Sequence, residues 1–134
     1  MHEITVGIIK PDGFKHRNEI FQIIEASGLK IKLHKQKKFN LKEVKNFYRE
    51  HNGKPFYKEL ISYMTEGPVV ILLIEGENAI SRWREIMGST DPKKATEGTI
   101  RKIFGTNIGH NAVHGSDGPF SAARETDSLF PDDV

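Results

Sequence analysis

The sequence predicts an α+β fold, an antiparallel sheet with helices packed on it. Three observations carry that prediction. Two short apolar runs, "EITVGII" at 3–9 and "PVVILLIE" at 68–75, have the length of strands and are apolar on both sides, as central strands are. Two stretches with apolar residues at helical spacing, 17–28 and 77–88, each follow one of those runs. Turn-forming residues separate the segments.

The elements can be justified in order. Residues 3–9 place Ile4, Val6 and Ile8 on one face of a strand. In "RNEIFQIIEASG", Ile20, Phe21, Ile23 and Ile24 recur at helical spacing, and Gly28 supplies a stop. "LKIKLHKQKKF" at 29–39 alternates Ile31 and Leu33 with lysines. That reads as a half-exposed strand, and its lysine-rich end suits a sheet edge. Asn40 with Glu43 reads as a capping box, opening a helix with Leu41, Val44, Phe47 and Tyr48 on one face. "HNGKP" breaks that helix, and a second short one covers "FYKELISYM". After the strand at 68–75 comes an amphipathic helix with Ile80, Trp83 and Met87 inward. "STDPKKATEG" is a loop, "TIRKIF" a helical turn and "NAVH" a short strand. "GPFSAARETD" is a final helix with Pro119 in its first turn. With the helical hairpin at 41–63 set aside as an insertion between the second and third strands, the order is β-α-β-β-α-β. This is the ferredoxin-like arrangement, with its helices expected on one face of the sheet.

Composition narrows the function classes. At 134 residues the chain has the size of one domain, expected to span 1–134, and its 37% hydrophobic content supports a real core. With no cysteine there is neither a disulfide framework nor a thiolate metal site. The N-terminal apolar run is too short for a signal peptide, and no run approaches a membrane span, so a cytoplasmic protein is expected. A formal charge of +2 is too small to argue for nucleic acid.

The segment "NAVHGSDG" at 111–118 concentrates the chemistry. A strand that runs into Gly-Ser-Asp-Gly stops abruptly, so His114 would project at the edge of the sheet. Read alone, a strand-end histidine is usually a satisfied structural side chain. A neutral imidazole is nonetheless a nucleophile at physiological pH once held in one tautomer, and Glu125 and Ser116 are candidates to hold it. Lys10, His51, Arg84 and Arg101, with Thr90 in the intervening loop, would singly be solvated surface groups. Together they suit a polyphosphate, because phosphoryl transfer demands positioning and positive charge. Phe56, just after a helix break, is either a core ring or one exposed to stack on a base. Tyr48 is either core or a hydroxyl in want of a polar partner. No Walker-type loop, G-x-G-x-x-G, H-E-x-x-H or protein-kinase signature is present. No carboxylate cluster offers a cage for magnesium, which would ride on the phosphates.

These residues resemble those of the nucleoside diphosphate kinase family over nearly the whole chain. "NAVHGSDG" is similar to the family's N-x-x-H-G-S-D signature, and "IIKPDG" at 8–13 to its first-strand motif. "KPFYKEL" at 54–60 resembles its nucleotide-clamping helix, and "EGPVV" at 66–70 its next strand. "REIMGSTDP" at 84–92 and "EGTIR" at 97–101 resemble its phosphate-binding region. The resemblance implies a ping-pong exchange in which His114 takes the terminal phosphoryl of a nucleoside triphosphate and hands it to a nucleoside diphosphate. Glu125 and Ser116 would orient His114. Lys10, Tyr48, His51, Arg84, Thr90, Arg101, Asn111 and Gly115 would surround the phosphates and ribose. Phe56 would stack on the base, with Leu60 and Ile108 completing an apolar slot of low base specificity. Mg2+ would arrive with the nucleotide, with Asp117 shaping the turn or reaching the ion through water. The resemblance also implies a homo-oligomer, a hexamer by family default with tetramer or dimer as alternatives. It implies neither a membrane nor a specific nucleic acid as partner.

There are departures from the pattern. The segment after "KPDG" is short, Asn18 replaces the usual glycine before "EI", and Lys102-Ile103 stand where Gly-Asp is common. His110 stands where a longer basic residue often sits, and the tail ends at "LFPDDV". Two rival readings were weighed. A nucleic-acid-binding ferredoxin-like module would need aromatics on its central strands, and "EITVGII" and "PVVILLI" have none. A catalytically silent relative is disfavoured because each position needed for chemistry carries a competent residue.

Overall fold

A computed structural model describes residues 1–132; the last two residues of the "LFPDDV" tail lie outside the described residues. Four strands form one antiparallel sheet: β1 (His2–Ile9), β2 (Lys30–Lys37), β3 (Val69–Glu77) and β4 (Val113–Gly115), in the spatial order β2-β3-β1-β4. The two strands that read as apolar on both sides, β1 and β3, are the central pair, and the lysine-rich β2 is an edge. Among the described residues there are six α-helices, the last of which follows β4: α1 (Arg17–Ala26), α2 (Leu41–Phe47), α3 (Tyr57–Met64), α4 (Ala79–Met87), α5 (Ile100–Phe104) and α6 (Pro119–Leu129). No helix among the described residues is long and apolar enough to cross a membrane.

Local signals act where the sequence puts them. Asn40 accepts from Glu43 N–H at 2.8 Å, and Glu43 Oε1 accepts from Asn40 N–H at 3.1 Å, so the capping box starting α2 is complete. Gly28, at φ +92°, takes the left-handed conformation that ends α1. Leu41, expected on the inward face of α2, is instead exposed: it is the first helical residue, one turn before the first buried one, Val44.

The layering differs from the sequence reading in one respect. The crossover helices α1 and α4 cover one face together, as expected, through Ile20, Ile24, Trp83 and Met87 packed on Ile9, Val70, Leu72 and Ile74. The other face is covered too. Val44, Phe47, Ile61 and Met64 of the inserted hairpin α2–α3, with Phe130 after α6, pack on Val6, Ile8, Ile71 and Leu73. Two right-handed crossovers fill one side of the sheet, so the inserted pair has only the opposite side left to bury its apolar stripe. A bulge between Ile31 and Leu33 has a related effect. Ile31 joins the α1–α4 core and Leu33 the α2–α3 core, rather than sharing one face, because the extra residue shifts the alternation.

Candidate active site

The pairing of β4 with β1 sets the site. Ile8 lies opposite His114 and Gly7 opposite Gly115. Alternation therefore turns His114 toward the α2–α3 and α6 side, and Gly115 toward α4. A Cβ on Gly115 would sit 2.7 Å from Trp83 Nε1, and one on Gly7 would sit 2.9 Å from Trp83 Cζ2. The two glycines thus let the indole lie directly on the strands. A Cβ added at Gly115 would meet Met87 and Trp83.

His114 is held from behind. Its Nε2 lies 2.9 Å from Glu125 Oε1, and Ser116 Oγ donates to the same oxygen at 3.0 Å. Glu125 and Ser116 are both buried, and Arg124 lies 3.8 Å from the other carboxylate oxygen. A carboxylate oxygen only accepts, so the ring proton belongs on Nε2 and the lone pair on Nδ1. Phe47 meets the imidazole edge-on at 5.3 Å between centroids and fixes its plane further.

A row of rings leads outward from this histidine. Tyr48 lies 6.1 Å from His114, His51 6.1 Å from Tyr48, and Phe56 5.4 Å from His51. Phe56, at 47% exposed, settles the choice between core ring and surface ring in favour of the surface. Lys54 Nζ meets His51 Nδ1 at 3.0 Å and stands 5.8 Å over the Phe56 ring. Burial, then Lys54, holds His51 below its ordinary pKa. Tyr48 OH is buried without a partner among the described residues, and burial followed by the Glu125 charge pushes its pKa well up. Leu60 is half-buried against the α2–α3 core, and Ile108 is largely exposed in the loop before β4.

A cationic cluster forms the second part of the site. Lys10 Nζ, only 8% exposed, donates to Asn111 Oδ1 at 2.9 Å, and Asn111 Nδ2 donates to Thr90 O at 3.0 Å. Arg101 donates to Gly88 O and Val113 O, each at 2.9 Å, while its Nε is buried without a partner among the described residues. Burial, then the neighbouring Arg101, pushes Lys10 down to about 8, with Asp12 opposing; burial, then Arg84, pushes Arg101 down to about 10. Three cations that raise one another's energy are a place prepared for an anion. Asp117 accepts from Ser121 Oγ at 2.6 Å; that bond first, then Arg84 and His114, holds its carboxyl below the usual range. Among the described residues no three His, Cys, Asp or Glu side chains gather as a metal cage.

Comparison with known proteins shows the family. The family model for nucleoside diphosphate kinase matches residues 3–134. This chain belongs to the nucleoside diphosphate kinase family. Over 130 residues it is 49% identical to the nucleoside diphosphate kinase of Bdellovibrio bacteriovorus, a match covering 96% of this chain and 92% of the relative. The corresponding protein of Chlamydia trachomatis serovar L2 matches at the same identity and coverage. Among solved structures, the Aquifex aeolicus nucleoside diphosphate kinase superposes with a TM-score of 0.93 at 39% identity, over 97% of this chain and 96% of that one. A Halobacterium salinarum nucleoside diphosphate kinase, solved in complex with CDP, superposes at 0.94 with 36% identity, over 99% of this chain and 90% of that one. As a nucleoside diphosphate kinase, the chain is an enzyme that transfers phosphoryl groups between nucleotides.

Several residues of the site carried no role in the sequence reading. Phe47 reads as a core residue, Arg124 as one residue of the last helix, and Lys54 as part of the helix break and of the "KPFYKEL" stretch, with no individual role. Asp12 lay inside the quoted "KPDG" stretch, which signals only a turn. Phe47 and Asp12 act on partners distant in the chain, His114 and Ala112, while Lys54 and Arg124 act on His51 and Glu125 close by, through contacts that no spacing pattern marks.

Proposed function

We propose that this enzyme works by ping-pong exchange through a phosphohistidine on His114. The Nδ1 lone pair attacks the terminal phosphorus of a nucleoside triphosphate. An N–P bond forms as the bond from that phosphorus to the bridging oxygen breaks, and the electron pair leaves with the nucleoside diphosphate. A second diphosphate then attacks the phosphohistidine through a terminal oxygen, and the ring nitrogen recovers its lone pair. The observation that carries the reading is the single oxygen of Glu125 that receives both Nε2 and Ser116. It fixes the tautomer and steadies the positive charge the ring acquires on attack.

Lys10, Arg84 and Arg101, with Tyr48, His51, Thr90 and Asn111, surround the phosphates and ribose in this proposal. Phe56 stacks on the base, flanked by Leu60 and Ile108. Every base offers a π-face, so base preference is weak. The CDP bound to the Halobacterium relative supports diphosphates as ligands. Mg2+ arrives on the substrate phosphates, with Asp117 near enough to act through water. In this proposal the enzyme is a cytoplasmic homo-oligomer, and light scattering on the purified chain tests the assembly.

Labelled triphosphate incubated with the enzyme should leave an acid-labile, base-stable label that added diphosphate removes. His114→Ala should abolish both label and exchange while retaining the fold by circular dichroism. Label on serine, or exchange by the variant, ends the proposal.

A further inference from the structure

Ala112 has φ +73° and is fully buried. Val113 N–H donates to Asn111 O at 2.9 Å across it, which makes the segment a γ-turn of the strained hand. An L side chain adopts this conformation only when its surroundings hold it there. It is also why β4 begins at Val113, although the sequence reads as a strand from Asn111.

The turn after β1 does the holding. Lys10 N–H donates to Ala112 O at 2.8 Å. Asp12 Oδ2 accepts from Ala112 N–H at 3.1 Å. Gly13 leaves room for the same carbonyl, since a Cβ there would lie 2.6 Å from Ala112 O. Asp12 is itself anchored, its N–H donating to Tyr63 OH at 3.1 Å. Its other carboxylate oxygen is buried without a partner among the described residues. A half-satisfied buried carboxylate is costly, and burial raises its pKa. The Oδ2 oxygen accepts from the peptide N–H of the strained residue.

That peptide sits between two parts of the site. On one side is Asn111, tied to Lys10 and Thr90; on the other, two residues along, is His114. Rotation about Ala112 would move the phosphate-binding cluster relative to the imidazole. We propose that Asp12 is a positioning residue for phosphoryl transfer: its carboxylate pins the Ala112 peptide and so fixes Asn111 and His114 relative to each other. The inference rests on the proposed role of His114.

The test is the single-turnover rate of His114 phosphorylation by a labelled magnesium nucleoside triphosphate, with His114→Ala as blank. Asp12→Ala should slow it roughly ten- to a hundredfold, the scale of loss that small misplacements produce. Asp12→Asn keeps an oxygen that accepts from the same N–H and should stay within a few-fold of wild type. Ala112→Gly, added to Asp12→Ala, should restore most of the loss, because glycine takes positive φ without strain. A merely structural role for Asp12 would lower the urea midpoint of Asp12→Ala without slowing phosphorylation in the enzyme that remains folded. An Asp12→Ala enzyme as fast as wild type overturns the inference. So does Asp12→Asn as slow as Asp12→Ala, or a double variant with no recovery. Should Asp12→Ala fail to fold, a folded and reactive double variant supports the inference, and an unfolded one overturns it. Absence of label on the wild-type enzyme would instead refute the phosphohistidine reading.

Discussion

Lys10 keeps its ammonium where water scarcely reaches, near a second cation, and donates to the neutral amide of Asn111. Burial first, then Arg101, pushes its proton off against the opposing charge of Asp12, and its pKa falls to about 8 from the ordinary 10.5. The consequence for binding has a definite sign. Below about pH 8 the ammonium attracts phosphate; above it the charge is lost, while the nucleotide phosphates are already ionised. The Michaelis constant for nucleoside diphosphate should therefore rise as pH increases through about 8, and Lys10→Met should flatten that rise while weakening binding at lower pH. A pH-independent constant in wild type would contradict this account. The linkage for folding runs the other way. Between about 8 and 10.5 the unfolded chain holds more protons at this lysine, so Lys10 makes the fold more stable with rising pH in that window. The lysine was legible in the sequence as a phosphate group candidate. Its depressed titration was not, because that comes from Arg101 and from burial, both supplied by the fold.

At the scale of elements, the contact between α4 and β4 governs how phosphate-binding and catalytic parts meet. Arg84 rides on α4 and His114 on β4, and the two elements touch where Trp83 lies over Gly115. Gly115→Ala would place a methyl inside the indole's space. Overpacking of this kind costs about 1–3 kcal/mol, readable as a lowered urea midpoint, and it should reduce turnover as Arg84 and His114 separate. Gly118→Ala, where a Cβ meets open space in extended backbone, is the control and should change neither much. The elements themselves were largely readable. The apolar runs of β1 and β3, the Asn40–Glu43 capping box and Pro119 at the start of α6 are local signals, and each forms as expected. The left-handed Ala112 was not readable, because nothing in "NAVH" favours it and its support comes from Asp12, far away in the chain. Nor was the bulge that sends Ile31 and Leu33 to opposite faces, since alternation with lysines looks the same either way.

The whole molecule is one sheet with a core on each face. Trp83 reports on the α1–α4 core, while Tyr48 and Tyr63 lie in the other. Because both cores share β1 and β3, neither can be lost alone. Unfolding in urea followed by Trp83 fluorescence and by near-ultraviolet tyrosine dichroism should give coincident transitions. Separate midpoints would show that the α2–α3 hairpin unfolds on its own. The central and edge strands followed from the sequence pattern, whereas the second covered face did not, because amphipathic spacing shows that a helix buries a stripe without naming its partner. The pairing of β1 has a consequence during synthesis. This strand leaves the ribosome first among the four, yet its neighbours are residues 69–77 and 113–115. A nascent apolar segment must therefore stay unzipped, and shielded from other chains, until nearly all of the polypeptide has emerged.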